Sequence, residues 1–556
     1  MESDEFSGIE QRIRTLTTIL QNMNITHPPT REKGQIPSFL RHFATLLTCG
    51  DTHYTDAKKV VAVTGSITPT GIQTLVVTQN SYLSSSDPCL EVEYLVKSNK
   101  TFQQVVNDND DNLGLKAYTS DLWAALASYD PQRQDNRYAL TCFIVRRCFP
   151  KLSARIVQDF QAWKVHVYQK LLDWNPKEDD VPVPRWVNRP LWATKFDIQM
   201  EEQTIQKSGQ PCLQWEFSNA SAKRWAQLLG LVLQNLQVAV DLVDKAKADN
   251  LDPTFPFREV DAWCRTLHSF VNGEEGIVVQ TLLTRTSLAN AFRFHPDAVP
   301  LKDDGVADMR PGTLDTEGHQ VIRYLKSIVA WHTAIHNLCN PRSKFREFAQ
   351  NLTVGFVEIQ KSDNLNTPRD EICQEFFRRN PPLSAESRMA TQEQLFQHYR
   401  PNFTGTVHAE ATLMGLLNYF SPESRDYKPV KYKIFITNEC LLWQITSQIL
   451  PQKAIAVSKR CCWCCDWLGK KLTGIHLPGS HGALYAWSPP RMGIDVDVLR
   501  DLENMLWNEL ELGLRESSFS NSTKAYNCHG SNSMSIIVSD HKPLFQHDIY
   551  SYGGGN

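Results

Sequence analysis

Thr406-Val407-His408-Ala409-Glu410-Ala411 and, further along, Ser458-Lys459-Arg460-Cys461-Cys462-Trp463-Cys464-Cys465 are the two stretches on which the fold of this chain turns. They supply one imidazole, one carboxylate and a C-x-x-C thiol pair. That is the donor set of a catalytic zinc ion, which keeps three protein ligands and one open position for water. Bound zinc draws the pKa of that water toward neutrality, so hydroxide is available at cellular pH. His408 and two thiolates are expected as the ligands, which leaves Glu410 off the metal as general acid and base. The cysteines contain two overlapping C-x-x-C pairs, Cys461/Cys464 and Cys462/Cys465, and spacing alone leaves both open.

Ala411, Leu413, Met414, Leu416, Leu417 and Phe420 recur at helical spacing and stop before Ser421-Pro422, which puts His408 and Glu410 on the first turn of a buried helix. Ala454 to Val457 reads as a short buried strand running into Ser458, with a second helix starting near the cysteines. Cysteines three apart share a helix face. Two helix starts meeting at a metal would turn their positive dipole ends toward thiolate and hydroxide. If the two stretches converge, they predict hydrolytic attack on an amino-bearing ring carbon.

These two motifs, followed by Gly479-Ser480-His481-Gly482 and Trp487, resemble a largely fungal branch of the cytidine-deaminase-like superfamily, the deaminase family named after an Orientia protein. The resemblance covers about residues 345 to 515. The family's Ser-Lys-x-x-Cys-x-x-Cys pattern falls here on Cys462 and Cys465, so the resemblance implies His408, Cys462 and Cys465 as zinc ligands and Glu410 as the proton carrier. It also implies a substrate pocket with His481 and Trp487 at its lining, a five-stranded mixed sheet with helices packed on it, and zinc held between two helix starts. The implied activity is deamination of cytosine or adenine within nucleic acid. A free nucleoside or nucleotide is the alternative substrate. A catalytically inactive, deaminase-like interaction protein with a structural zinc is the alternative of another class. In the wider superfamily a proline commonly precedes the first cysteine, whereas Arg460 or Cys461 does so here.

With 556 residues, 41% hydrophobic and 21% charged, the chain has ample sequence for buried cores in two to four domains. Its Met1-Glu2-Ser3-Asp4-Glu5 start has neither the basic region nor the apolar core of a secretory signal. The apolar stretch from Trp225 to Val243 is interrupted by Gln227, Gln234, Asn235, Gln237 and Asp241, unlike a membrane span. An intracellular location, cytoplasmic or nuclear, with no membrane partner is therefore expected. The 14 cysteines are mostly scattered and imply no disulfide framework. A net charge of -3 argues against a generally basic nucleic-acid surface, though it says little about any single groove. Lys459, Arg460, Lys470 and Lys471 with Trp463, Trp467, Tyr485 and Trp487 offer the cation-plus-aromatic makeup of such a groove. The plainer reading is solvated lysines and packing tryptophans.

The expected fold is α/β: a mixed β-sheet flanked by helices over 345–515, preceded by a large, mainly α-helical region over 1–344 and followed by a flexible tail over 516–556. Within the helical region, Leu152, Ile156, Phe160, Trp163, Val167, Leu171 and Trp174 predict one amphipathic helix ending at Asn175-Pro176. Further helices are expected at about 221 to 247 and 318 to 339, a loop over Pro176 to Pro190, and a short strand over Cys212 to Phe217. His332 and His336 form an i, i+4 pair that lacks both the glutamate of a zinc protease and an evident third ligand. Val496, Leu499, Leu502, Leu506, Leu510 and Leu514 predict a closing helix. The tail carries a brief expected strand at Ser535 to Val538.

Overall fold

Val61-Ala62-Val63-Thr64 and Thr74-Leu75-Val76-Val77 are β-branched and aliphatic runs with no helical period, and they form the antiparallel strands β1 (Val61–Thr68) and β2 (Gly71–Gln79). The computed structural model describes residues 2–30, 36–48, 60–68, 71–80, 89–108, 113–181, 183–207, 210–293, 316–340, 345–359, 365–381, 384–421, 435–436, 438–449, 453–457 and 459–526. The remaining strands are β3 (Cys89–Leu95), β4 (Arg185–Asn188), β5 (Glu202–Lys207), β6 (Gln210–Phe217), β7 (Thr353–Ile359), β8 (Thr406–Val407), β9 (Phe435–Ile436), β10 (Ile455–Val457) and β11 (Trp487–Ser488).

Six of these strands form one mixed sheet in the order β10-β1-β2-β7-β3-β9. β1 runs antiparallel to both β10 and β2, β2 parallel to β7, and β3 antiparallel to β7 and parallel to β9. The five-strand expectation is thus corrected to six. Three of the six come from residues 61–95, so the sheet draws on sequence from both sides of position 345. Local periodicity could not reveal this, because Val77 finds Phe356 and Ala62 finds Val457 only through long-range pairing.

The period-2 alternation of a strand sends successive side chains to opposite faces. Val61, Val63, Leu75, Val77, Val354, Phe356 and Ala456 point into a core shared with the helical region. Ala62, Val76, Val357, Ile455 and Val457 point the other way, into a core with His408's helix and the cysteines. The sheet is the wall between two hydrophobic layers, each burying one of its faces.

The N-terminal helix Glu2–Asn22 belongs to the second layer, with Ile9, Ile13, Leu16 and Leu20 in that core. It packs along the helix Val496–Tyr526, and Arg12 Nε donates to Glu503 Oε1 at 2.7 Å. This last helix runs past the expected start of the tail at 516. The strand expected at Ser535 to Val538 lies outside the described residues.

In the first layer, the single helix expected over 152–174 is two: Gln134–Trp163 and Val167–Asp173. Lys164 between them adopts a left-handed conformation, φ 55°. Asp159 bridges the break, accepting from the Val167 N–H and facing His166 Nδ1, both at 2.8 Å. The apolar stripe continues across the junction, which is why periodicity hid it. The 221–247 expectation corresponds to Asn219–Ala248, and that at 318–339 to Glu317–Ile328 and Ala330–Leu338. The expected 176–190 loop contains β4, which pairs with β6 in a small antiparallel sheet ordered β4-β6-β5. Among the described residues, Asn219–Ala248 is long and apolar enough to cross a membrane, but Trp225, Leu229, Val232, Leu236 and Val240 bury its stripe in the core.

Candidate metal centre

Strand β8 ends at Val407, and the next residue, His408, is the N-cap of the helix Ala409–Tyr419. Gly405, just before β8, permits the close approach of β11: a Cβ there would lie 2.1 Å from the Ala486 carbonyl oxygen. Histidine makes no side-chain cap bond here. Asn80, which follows the end of β2, does that work instead, its Oδ1 accepting the Ala409 N–H at 2.7 Å. The His408 imidazole is left to face the helix start, and Glu410 follows on the first turn, 3% exposed.

The second stretch is built in a similar way. Beyond β10, Cys461 bridges to the Gly479–Gly482 loop: its N–H donates to the Gly479 carbonyl at 2.8 Å, and its own carbonyl accepts from the His481 N–H at 3.1 Å. Cys462 is then the N-cap of the helix Trp463–Lys471, its Sγ accepting the Cys465 N–H at 3.4 Å. Ser458 lies outside the described residues.

The ligand atoms of His408, Glu410, Cys462 and Cys465 all lie within 4.8 Å of one another. His408 Nδ1 is 3.6 Å from Cys465 Sγ and 3.6 Å from Glu410 Oε1. A tetrahedral zinc with bonds of about 2.0 Å to nitrogen and 2.3 Å to sulfur would hold those two atoms about 3.5 Å apart, so the nitrogen–sulfur spacing fits. Of the two overlapping cysteine pairs, Cys462/Cys465 faces the histidine. Cys461 and Cys464 are fully buried in the surrounding core. Glu410 Oε2 is buried with no hydrogen-bond partner among the described residues, a polar atom suited to a further ligand at the centre.

Of the three candidate metal ligands, the electrostatics favour the ligating protonation state only at Cys462; at His408 and Cys465 they favour a proton that a metal would displace. Burial opposes charge on Cys462, yet hydrogen bonds from Cys464 and Cys465 and the charge of His408 hold its thiol well below the ordinary range. Burial likewise opposes charge on His408, but the Cys462 thiolate and Glu410 hold its imidazole well above its usual value. Cys464 and Cys465 are pushed well up by burial and by the neighbouring Cys462. Two helix N-termini converge here and add their positive ends to the thiolate's stabilisation.

Of His481 and Trp487, Trp487 touches a member of the cluster, while His481 meets the backbone of neighbouring Cys461. Trp487 is fully buried on β11, and its Nε1–H donates to Cys465 Sγ at 3.2 Å. His481 is buried in the loop, where Nδ1 accepts the Ala483 N–H at 3.1 Å and the ring meets Tyr485 edge-on at 5.3 Å. The loop is clamped from the N-terminal segment: the His27 N–H donates to the Gly482 carbonyl at 2.8 Å, and the Ser480 N–H donates to Thr30 Oγ1, also at 2.8 Å. Gly482 is required there, with φ +79° and a Cβ position 1.9 Å from the His27 carbonyl oxygen. Of the cations considered for a groove, Lys470 pairs with Asp466 at 2.5 Å and Lys471 with Asp501 at 2.9 Å, while Lys459 is buried. Trp463 stacks on His27 at 4.7 Å.

Sequence reasoning did not reach Asn80, Thr17 or Thr30. The one available signal for Asn80 was negative: position 408 carries none of the side chains that cap a helix well, so an acceptor had to come from elsewhere. Thr17 exchanges hydrogen bonds with the backbone of Trp487, at 3.1 and 3.2 Å.

None of the curated proteins and none of the solved structures matches the chain. A family model does, the one described as "OTT_1508_deam:-like deaminase", over residues 407–491, which include His408, Glu410, Cys462, Cys465, His481 and Trp487. Residues 407–491 are therefore a deaminase-like domain set within the longer chain.

Proposed function

We propose that the chain is a zinc-dependent hydrolytic deaminase that converts the amino group of a cytosine or adenine base to a carbonyl. One observation carries the reading: an imidazole, two thiols and a carboxylate gathered within 4.8 Å at two helix starts, inside a deaminase-like domain. His408 Nδ1 and the sulfurs of Cys462 and Cys465 would hold the zinc. When bound, the metal supplies an activated water at neutral pH. Glu410 takes one proton from the attacking water and passes it to the ring nitrogen, then takes the second from the newly added hydroxyl and passes it to the amine, which leaves as ammonia as the carbonyl forms. Its unpartnered Oε2 is the atom suited to that traffic. Trp487 holds Cys465 in its ligating orientation through the indole N–H. His481, fixed in its loop, is proposed to border the pocket.

The family resemblance favours a base within nucleic acid. The pairing of Lys470 with Asp466 and of Lys471 with Asp501 favours a second substrate class, a free nucleoside or nucleotide, because those charges are already met within the fold. Incubating the zinc-loaded chain separately with nucleosides, nucleotides and DNA or RNA oligonucleotides, followed by mass spectrometry, separates the two. A gain of about one dalton in a base is the expected product signature, since an amine becomes a carbonyl. Zinc-loaded protein that leaves every pool unchanged would move the reading to an interaction protein with a structural metal.

A further inference from the structure

The helical layer holds a second constellation that the deaminase reading leaves unused. His332 and His336, the i, i+4 pair of the sequence, meet His268 at a cavity of about 680 Å³. None of its lining residues falls within 407–491. Arg137 and Arg265 line it as well, and no carboxylate is among its lining residues.

The groups are arranged for an anion rather than a metal. Arg137 Nη2 lies 2.6 Å from His336 Nδ1, so a guanidinium stands where a cation would be repelled. Arg265 is stacked over Tyr138, 4.3 Å from the ring centroid, and held through Nε by Asp261 at 2.9 Å. Stacking of this kind presents the in-plane N–H fork of the guanidinium at the edge. His332 is 4% exposed, and its Nε2–H donates to Asp261 Oδ1 at 3.0 Å while its Nδ1 has no hydrogen-bond partner among the described residues. Among the described residues, the only group of three or more metal-type ligand atoms is that around His408, which sets a metal at these histidines aside. Burial, with the nearby Arg137 charge, holds His336 below its usual value and His268 down at about 4, so these rings are neutral at pH 7 and each can donate one N–H.

We infer that this cavity binds the phosphoryl group of a small phosphorylated molecule, with Arg137 and Arg265 as its charge partners. A tetrahedral phosphoryl group presents several acceptors in different directions, and guanidinium forks match that geometry. The volume lies in the range of small-molecule sites and leaves room for an organic portion beside the phosphoryl group.

The test is isothermal titration of the full, zinc-loaded chain at fixed ionic strength with ribose, ribose 5-phosphate, inorganic phosphate and pyrophosphate. Ribose 5-phosphate should bind and ribose should not, and Arg137→Ala should weaken binding about tenfold or more through loss of charge-assisted bonds. Arg137→Lys, which keeps the charge and loses the fork, should fall between the two and guards against misfolding of the alanine variant. Ribose 5-phosphate carries no amino-bearing ring, so its binding is read independently of deamination, and Glu410→Gln should leave it unchanged. Absence of binding by all three phosphate probes, or undiminished binding in both folded Arg137 variants, would overturn the assignment.

Discussion

The indole nitrogen of Trp487 lies 3.2 Å from the sulfur of Cys465, so a residue of β11 donates a hydrogen bond to a residue of the helix Trp463–Lys471. Donors to a ligating sulfur orient it and spread its charge, and their removal typically costs about 10- to 100-fold in metal affinity. Trp487→Phe keeps the buried ring and deletes the donor. Zinc should be stripped from this variant by about tenfold less chelator, as followed by a zinc-responsive dye. Chelator resistance equal to the parent chain would show that the contact does not act on the metal.

Glu410→Gln separates binding from chemistry. The amide keeps the size of the carboxylate but cannot shuttle a proton, so zinc content should be unchanged while deamination falls by about 10²- to 10⁴-fold, the usual contribution of a positioned acid–base group. Metal analysis and ammonia release on the same sample check both halves. Retained turnover would remove Glu410 from the proposed proton path.

Zinc uptake should depend on pH with a definite sign. In the metal-free protein the balance of burial and neighbouring charges raises the pKa of His408 and of Cys465 and lowers that of Cys462, which favours a proton on the imidazole and on the Cys465 thiol and a thiolate at Cys462. Binding at neutral pH should therefore expel about two protons, one from the imidazole and one from Cys465. Affinity should weaken as pH falls, more steeply once the depressed range of Cys462 is reached and a third proton competes. Titrating zinc into weakly buffered protein with a pH indicator measures the count, and zero proton release would contradict these assignments.

Asn80→Ala tests the borrowed cap. It would leave the buried Ala409 N–H without its acceptor, a loss of about 1–3 kcal/mol in unfolding free energy. Asn80→Asp restores an acceptor at the same reach and should recover most of the stability. Denaturant unfolding of the three proteins decides it. An alanine variant as stable as the parent would mean that water or a neighbouring group satisfies the amide.

The four groups of the centre were legible because each pair is local: His408 with Glu410 at a helix start, Cys462 with Cys465 at another. Their convergence was not, since it depends on β10 lying beside β1 and on Asn80 reaching Ala409. The choice between cysteine pairs rested on resemblance in the sequence and on geometry in the fold, where the Cys461 backbone is tied to the Gly479–Gly482 loop. The break at Lys164 escaped notice because an apolar stripe records which side of a helix faces the core, not whether the helix is continuous. β1 and β2 pair locally with each other, but β10, β7 and β9, which tie them and β3 into the sheet, lie hundreds of positions away, and no local pattern encodes that distance.

The sheet's two-sided burial governs how this protein can be dissected. An excised fragment 345–515 would carry β7, β9 and β10 without any of the strands that hydrogen-bond them into the sheet, so its edges would be raw and prone to aggregation. A recombinant fragment meant to retain the cluster of His408, Glu410, Cys462 and Cys465 must also bring residues 61–95 and the N-terminal helix that backs β11.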